Sequence, residues 1–99
     1  MPTITVEIDC RPGSSRPDTY FTQILENIQE SKILNNEIRE HVYKNWDNNV
    51  QPVSKLFGNW TWELPSLEIE QKNVELRNFI MNILTEFYNN GYIRYAGVS

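Results

Sequence analysis

Apolar and polar side chains alternate along residues 3–9, and the apolar ones fall on one side: Ile4, Val6 and Ile8. This period of two is typical of a β-strand with one buried face, so it predicts a strand or an extended arm at 3–9. The same alternation runs over 57–64 and stops at Pro65, which predicts a second strand. A short aromatic segment after Gly91 predicts a last strand at 92–98.

Two segments instead follow the period of an α-helix. The first is predicted at about 18–30, with Asp18 as its cap and with an apolar stripe formed by Phe21, Ile24, Leu25 and Ile28. The second is predicted at about 70–89, and its stripe comprises Leu76, Phe79, Ile80, Ile83, Leu84, Phe87 and Tyr88. Asn89, Asn90 and Gly91 form a helix stop, because glycine adopts the left-handed conformation that closes a last turn without steric cost.

Residues 33–46 allow two interpretations. An apolar residue recurs every four positions, at Leu34, Ile38, Val42 and Trp46, which favours a helix starting near Asn35 or Asn36. Read as a strand, the segment alternates poorly. Prolines and turn-forming residues predict loops at 11–17 and 47–54.

Composition limits the function classes. The chain has 99 residues and a net charge of −4, from 13 acids and nine bases. A modest acidic excess argues against nucleic-acid binding, which usually requires a basic stripe. No apolar stretch approaches the length of a membrane span. Residues 1–7 lack the basic region and apolar run of a secretory signal, so we expect one cytoplasmic domain at 1–99. The single cysteine, Cys10, allows no internal disulfide and is expected to be a small buried or edge residue.

The sequence contains no recognisable catalytic constellation. His41 shares a helical face with Glu37 if 33–46 is a helix, but two groups do not make a metal site, and we expect a solvated pair there. Phosphate loops, Cys-x-x-Cys and nucleophile-elbow motifs are absent from the sequence. We therefore expect no catalytic residue, no cofactor, no metal and no enzymatic activity.

The aromatic residues suggest recognition of another protein. Trp60 and Trp62 share one strand face and are expected in the core. Trp46 lies beside a polar loop and is the better surface candidate. Tryptophan, tyrosine and arginine dominate binding hot spots, which brings Arg94 into consideration.

Residues 42–97 resemble the small subunit of ribulose bisphosphate carboxylase. The resemblance is carried by Val42-Tyr43-Lys44, then Trp60-Thr61-Trp62-Glu63-Leu64-Pro65, a helix, and Tyr92-Ile93-Arg94-Tyr95-Ala96-Gly97; residues 1–41 match in layout only. The tryptophan motif is one residue shorter than in that family, and Glu63 replaces a base. Family members also continue into one more strand, so either that strand is missing here or strand 3–9 takes its place.

The resemblance implies an α+β fold, a two-layer sandwich in which two helices pack on one face of an antiparallel sheet of three to four strands. It also implies that residues 37–46 form a strand. Functionally, it implies a non-catalytic subunit that binds and stabilises or organises a large carboxylase subunit, in a hetero-oligomer that is cytoplasmic or carboxysome-associated. The candidate partner interface then comprises Val42, Tyr43, Trp46, Asn48, Gln51, Lys55 and Arg94.

A second hypothesis stands beside the first. Small acidic single domains also serve as free-standing interaction proteins, such as phage or bacterial inhibitors and adaptors. A third, a small-ligand module, would need a pocket that the sequence does not reveal.

Overall fold

A computed structural model describes residues 3–46 and 50–99. In chain order the elements are strand β1 (Thr3–Cys10), helices α1 (Pro17–Glu30) and α2 (Asn36–Asn45), strands β2 (Ser54–Leu56) and β3 (Asn59–Pro65), helix α3 (Glu70–Asn89) and strand β4 (Ile93–Val98). The fold is α+β, as predicted. The described residues form three helices rather than two, because residues 36–45 are helical.

The sheet is antiparallel with strand order β2-β3-β1-β4, so the N-terminal strand lies at its centre. Register places Val6 opposite Trp62 and Ile8 opposite Trp60. All four of these side chains are buried, which confirms the core position expected for the two tryptophans. The period-two pattern thus gives the sheet one apolar face.

Helices α1 and α3 contribute to the layer over that face. On α1, the Phe21 ring stacks on Trp62, with centroids 4.3 Å apart and planes inclined by 3°. On α3, Leu76, Ile80 and Leu84 are fully buried. Tyr88, which the pattern placed on the same stripe, lies in the last turn of α3 and is 52% exposed.

Residues 33–46 fold as the four-residue spacing predicts. Leu34, Ile38, Val42 and Trp46 all face the core. The Asn35 side chain caps α2 by accepting a hydrogen bond from the Glu37 N–H at 2.8 Å. The strand implied by the family resemblance at 37–46 is therefore wrong, because the Asn35 cap and the spacing of the apolar residues both favour a helix.

Of the two predicted helix ends, the start of α1 is wrong and the end of α3 is confirmed. Pro17 takes the first position of α1, and Asp18 lies in the first turn, so Asp18 is not the predicted cap. At the other end of the chain, α3 closes as predicted, with Gly91 at φ +81°. The Gly91 N–H donates to the Tyr88 carbonyl and the Tyr92 N–H to the Phe87 carbonyl, both at 3.0 Å, which is the Schellman arrangement.

The predicted strand 57–64 is in fact the second half of a hairpin. Ser54–Leu56, predicted as part of a loop and its margin, forms β2 and pairs with β3. Leu56 lies opposite Asn59, so Phe57 and Gly58 are the two residues of the connecting turn.

Candidate protein-binding surface at the hairpin end

Two residues of the predicted interface lie in the core. Trp46 and Val42 are both 0% exposed, so the predicted surface role of Trp46 is wrong. The last turn of α2 turns them inward because they continue its apolar spacing. The Trp46 Nε1–H donates to the Pro65 carbonyl at 2.9 Å, which satisfies the only polar group of the indole and permits complete burial.

The other predicted interface residues are spread over the surface. Tyr43 is 70% exposed on α2, and Gln51 is exposed in the segment before β2. Lys55 and Arg94 are exposed near the β2–β3 hairpin. Asn48 lies outside the described residues. The structure therefore does not bring the six described residues together into one surface.

The hairpin turn carries an aromatic side chain that the sequence did not single out. Phe57 is 101% exposed, more than any other large apolar side chain described. Leu56 and Val53, on the adjoining strand and just before it, are also exposed. A phenylalanine with no intramolecular cover is available in full to a partner.

Phe57 also adopts an unfavourable backbone conformation. Its φ is +55°, and among the described residues other than glycine it alone has a positive φ. A turn with positive φ at its first central residue and not at its second is of the II′ kind, which prefers glycine in the first place. Here the glycine stands second.

The position of Gly58 follows from a tertiary contact. A Cβ on Gly58 would lie 3.1 Å from the backbone oxygen of Cys10, and the Cys10 N–H donates to the Gly58 carbonyl at 2.8 Å. A side chain at position 58 would force these two closely spaced backbones apart by a few tenths of an ångström, so the contact favours glycine there. The turn's glycine is thus used for packing against β1, and the positive φ falls on Phe57.

Cations surround the turn. Phe57, Arg11, Arg16 and Arg94 line a shallow cleft of about 330 Å³ between the hairpin and the loop after β1. Lys55 adds a fourth cation, with its Nζ 4.8 Å from the Trp60 ring centroid. Arg16 lies 5.3 Å from the same ring, so both long side chains are held against an aromatic surface.

Charge is divided unevenly over the chain. Arg16 pairs with Asp18 and Arg94 with Asp9, each at 3.0 Å. The hairpin end therefore holds four of the nine bases of the chain, and two of these four are paired there with acids. We call Phe57, Arg11, Arg16, Lys55 and Arg94 the hairpin-end surface.

Glu37 and His41, considered above as possible metal ligands, contact other residues of the chain instead. Glu37 pairs with Lys72 rather than with His41. The His41 Nε2 lies 2.8 Å from the Pro65 carbonyl, which can only accept, so this nitrogen carries the proton. No group of three His, Cys, Asp or Glu side chains within 3–46 and 50–99 could hold a metal.

Cys10 is buried, as expected. Burial and the neighbouring Asp9 carboxylate raise the pKa of its thiol from 9.0 to about 11. A thiol in this state is a poor nucleophile at neutral pH, because the thiolate is the reactive form. Cys10 lies at the end of β1 and packs in the hydrophobic core.

None of the described helices has the length and hydropathy needed to cross a membrane. No family model, curated protein or solved structure matches the chain. The geometry of the hairpin end is therefore the basis for a functional proposal.

Proposed function

We propose that this protein is a non-catalytic interaction module that binds an acidic protein partner through the hairpin-end surface. The observation that carries the proposal is Phe57, a fully exposed aromatic side chain held in a conformation that favours glycine. Side chains in sparsely populated backbone conformations concentrate at binding sites, where the surrounding structure maintains them.

The surface has the composition of a binding hot spot. Burial of the whole Phe57 side chain in a partner would contribute about 1.5–3 kcal/mol. The turn is short and paired on both sides, so little backbone entropy is lost when the ring docks. Arginine is enriched among hot-spot residues, and three arginines line the cleft beside the ring.

The four cations define the partner's chemistry. They would steer a surface with carboxylates around an apolar pocket and would oppose a basic one. Because these side chains are exposed, their attraction should weaken as ionic strength rises. The partner is thus expected to be acidic around the pocket that receives Phe57.

The resemblance offers a large carboxylase subunit as one candidate partner, in a cytoplasmic or carboxysome-associated hetero-oligomer. In favour of this candidate, the tryptophan motif at 60–65 lies on β3 and the motif at 92–97 lies on β4, on either side of β1. Against it, residues 36–45 form a helix where the resemblance implies a strand. A free-standing inhibitor or adaptor requires no such strand, and we place it first.

Affinity capture from a host lysate tests the role of the surface. The wild-type chain is compared with Phe57→Ala, and with Ile33→Ala as the matched control. Ile33 is also highly exposed, but it follows the far end of α1, about 21 Å along that helix. We expect wild type and Ile33→Ala to retain the same acidic protein and Phe57→Ala to lose it. Equal capture by Phe57→Ala would refute the proposed surface.

A separate mixing experiment tests the carboxylase. Purified large subunit and this chain are combined at micromolar concentrations and analysed by size-exclusion chromatography with light scattering. Co-elution that is lost in Phe57→Ala would make the large subunit the partner. Separate elution would remove it and leave the free-standing module.

A further inference from the structure

The cleft beside Phe57 is lined by positive charge and by no carboxylate. Among the described residues no acidic side chain lines it, although the chain has 13 acids. Its polar lining consists of three arginines and two serines: Arg11, Arg16, Arg94, Ser14 and Ser15. Guanidinium groups form their strongest hydrogen bonds to anions, so this lining suits an anion that accepts from several of them.

Two of the three arginines are held by acids and still retain donors. Arg16 donates to Asp18 through Nη2, at 3.0 Å. Arg94 donates to Asp9 through Nε, also at 3.0 Å. A guanidinium carries several N–H donors on its three nitrogens, so each of these pairs orients the arginine and leaves it able to bind an anion. Neither aspartate lines the cleft.

Arg11 is the third cation of the cleft and has no such acid. Its side chain is exposed and takes part in none of the ion pairs that the described residues form. Its backbone is nevertheless ordered, because its N–H donates to the Tyr92 carbonyl at 3.3 Å and its carbonyl accepts from the Ser14 N–H at 3.1 Å. The Ser14 hydroxyl donates to the same carbonyl, at 2.8 Å. An unpaired guanidinium on an ordered loop can bind a ligand with little loss of backbone entropy.

The charge of the hairpin-end surface matches a doubly charged anion. Its four bases exceed the two acids that pair with them by two charges. One carboxylate would neutralise half of this excess, whereas a phosphorylated side chain carries a charge of about −1.5 to −2 at pH 7 and would neutralise most of it. The planar fork of arginine donors also fits the oxygens of a phosphoryl group.

We propose that this cleft binds a phosphoryl group on a side chain of the protein partner, with the Phe57 ring docked beside it. This inference rests on the proposed function and specifies it, because it makes a phosphorylated residue the acidic group next to the pocket that receives Phe57. The cleft volume of about 330 Å³ is near the lower limit of small-molecule sites, so it suits one phosphorylated side chain rather than a cofactor. A nucleic acid also carries phosphates, but the net charge of −4 opposes a long polyanion.

Titration with phenyl phosphate tests the cleft in the absence of any partner. This probe joins a phosphoryl group to an aromatic ring, and benzoate is the matched carboxylate. Both are titrated into the full chain at one ionic strength, set with sodium chloride, so that general screening is the same. We expect saturable binding of phenyl phosphate, at least about fivefold tighter than that of benzoate, with NMR shift changes centred on Arg11 and Phe57.

Variants of Arg11 show whether the arginines are responsible. Arg11→Ala should weaken binding of phenyl phosphate at least about threefold, and Arg11→Lys should retain only part of the affinity, because lysine keeps the charge but not the fork of donors. Lys44→Ala is the matched control and should bind as wild type. Lys44 is an exposed base that lines a groove with Pro65, about 20 Å along β3 from Asn59 at the hairpin.

Dephosphorylation of the partner links the cleft to the proposed function. The protein captured through Phe57 is treated with a phosphatase and then offered again to the wild-type chain. We expect the treatment to weaken binding at least about tenfold, since the cations lose the dianion. Binding that still depends on Phe57 but is unaffected by the phosphatase would overturn this inference and leave the proposed function standing.

The two tests fail separately. If no protein is captured through Phe57, the proposed function fails, and the titration alone decides whether the cleft binds a phosphoryl group. If phenyl phosphate binds no more tightly than benzoate, or if Arg11→Ala and Lys44→Ala bind it equally, the cleft is not a phosphoryl site. An oligonucleotide that binds more tightly than the phosphorylated partner would replace the protein by a nucleic acid and overturn the proposal.

Discussion

Substitution of Phe57 separates the contribution of its ring from that of its backbone conformation. The ring is 101% exposed, so its removal takes away no packing. A residue with a side chain at φ +55° costs about 1–2 kcal/mol relative to a relaxed conformation. Natural proteins rarely retain such a cost at a surface position unless the side chain is used.

Three variants of Phe57 give three different expectations for the free energy of unfolding. Alanine keeps the Cβ and the strain, so it should change stability by no more than about 0.5 kcal/mol. Asparagine tolerates positive φ and should stabilise the fold by up to about 1 kcal/mol. Glycine relieves the strain but loses about 0.5–1 kcal/mol to backbone entropy, so it should stabilise the fold by between zero and about 1.5 kcal/mol.

Urea denaturation measures these differences. The buried tryptophans, Trp46, Trp60 and Trp62, provide the fluorescence signal, and none of them contacts the exposed ring as a stacking partner. For a chain of this size 1 kcal/mol corresponds to about 4–8 °C in Tm, which calorimetry resolves easily.

Binding should respond to the same variants differently from stability. All three remove the ring and should abolish capture of the partner, whereas Phe57→Tyr should retain most of it. A loss of more than about 1 kcal/mol in Phe57→Ala would show that the ring packs on its own chain. In that case Phe57 would be structural, and the hairpin end would lose its anchor.

Four further predictions test the fold, the first of them with a matched control. Trp46→Ala should cost about 3–5 kcal/mol by urea denaturation, whereas Tyr43→Ala on the exposed side of α2 should cost no more than about 0.5 kcal/mol. Gly58→Ala should cost about 1–3 kcal/mol, because its Cβ would meet a backbone oxygen at 3.1 Å. Asn73→Leu should cost about 1–3 kcal/mol, because both backbone groups of Leu67 lose their partner. The pKa of the Cys10 thiol is raised from 9.0 to about 11. The protonated thiol therefore contributes in full to the free energy of unfolding below pH 9, and this contribution should be lost as the pH rises towards 11. Cys10→Ser should lack that part of the alkaline pH dependence.

Periodicity alone predicted most of the elements. The alternation at Ile4, Val6 and Ile8 and the stripe of α3 each record a buried face, and burial is the term that dominates folding. The four-residue spacing up to Trp46 likewise predicted α2. The strand implied by the family resemblance is wrong at the same segment, since a match of three residues at 42–44 does not determine the backbone of the ten-residue helix that contains them.

Apart from Lys55 and Arg94, the hairpin-end surface could not be predicted, for a physical reason. Phe57 opens an alternating segment, so local pattern assigns it to a strand. Its exposure and its positive φ result from the approach of Cys10 to Gly58, a contact between residues 48 positions apart. Arg11 and Arg94 come together only because β1 lies between β3 and β4. A signal was nevertheless present in the Phe-Gly pair, since glycine within an alternating segment often marks a turn or a close backbone approach.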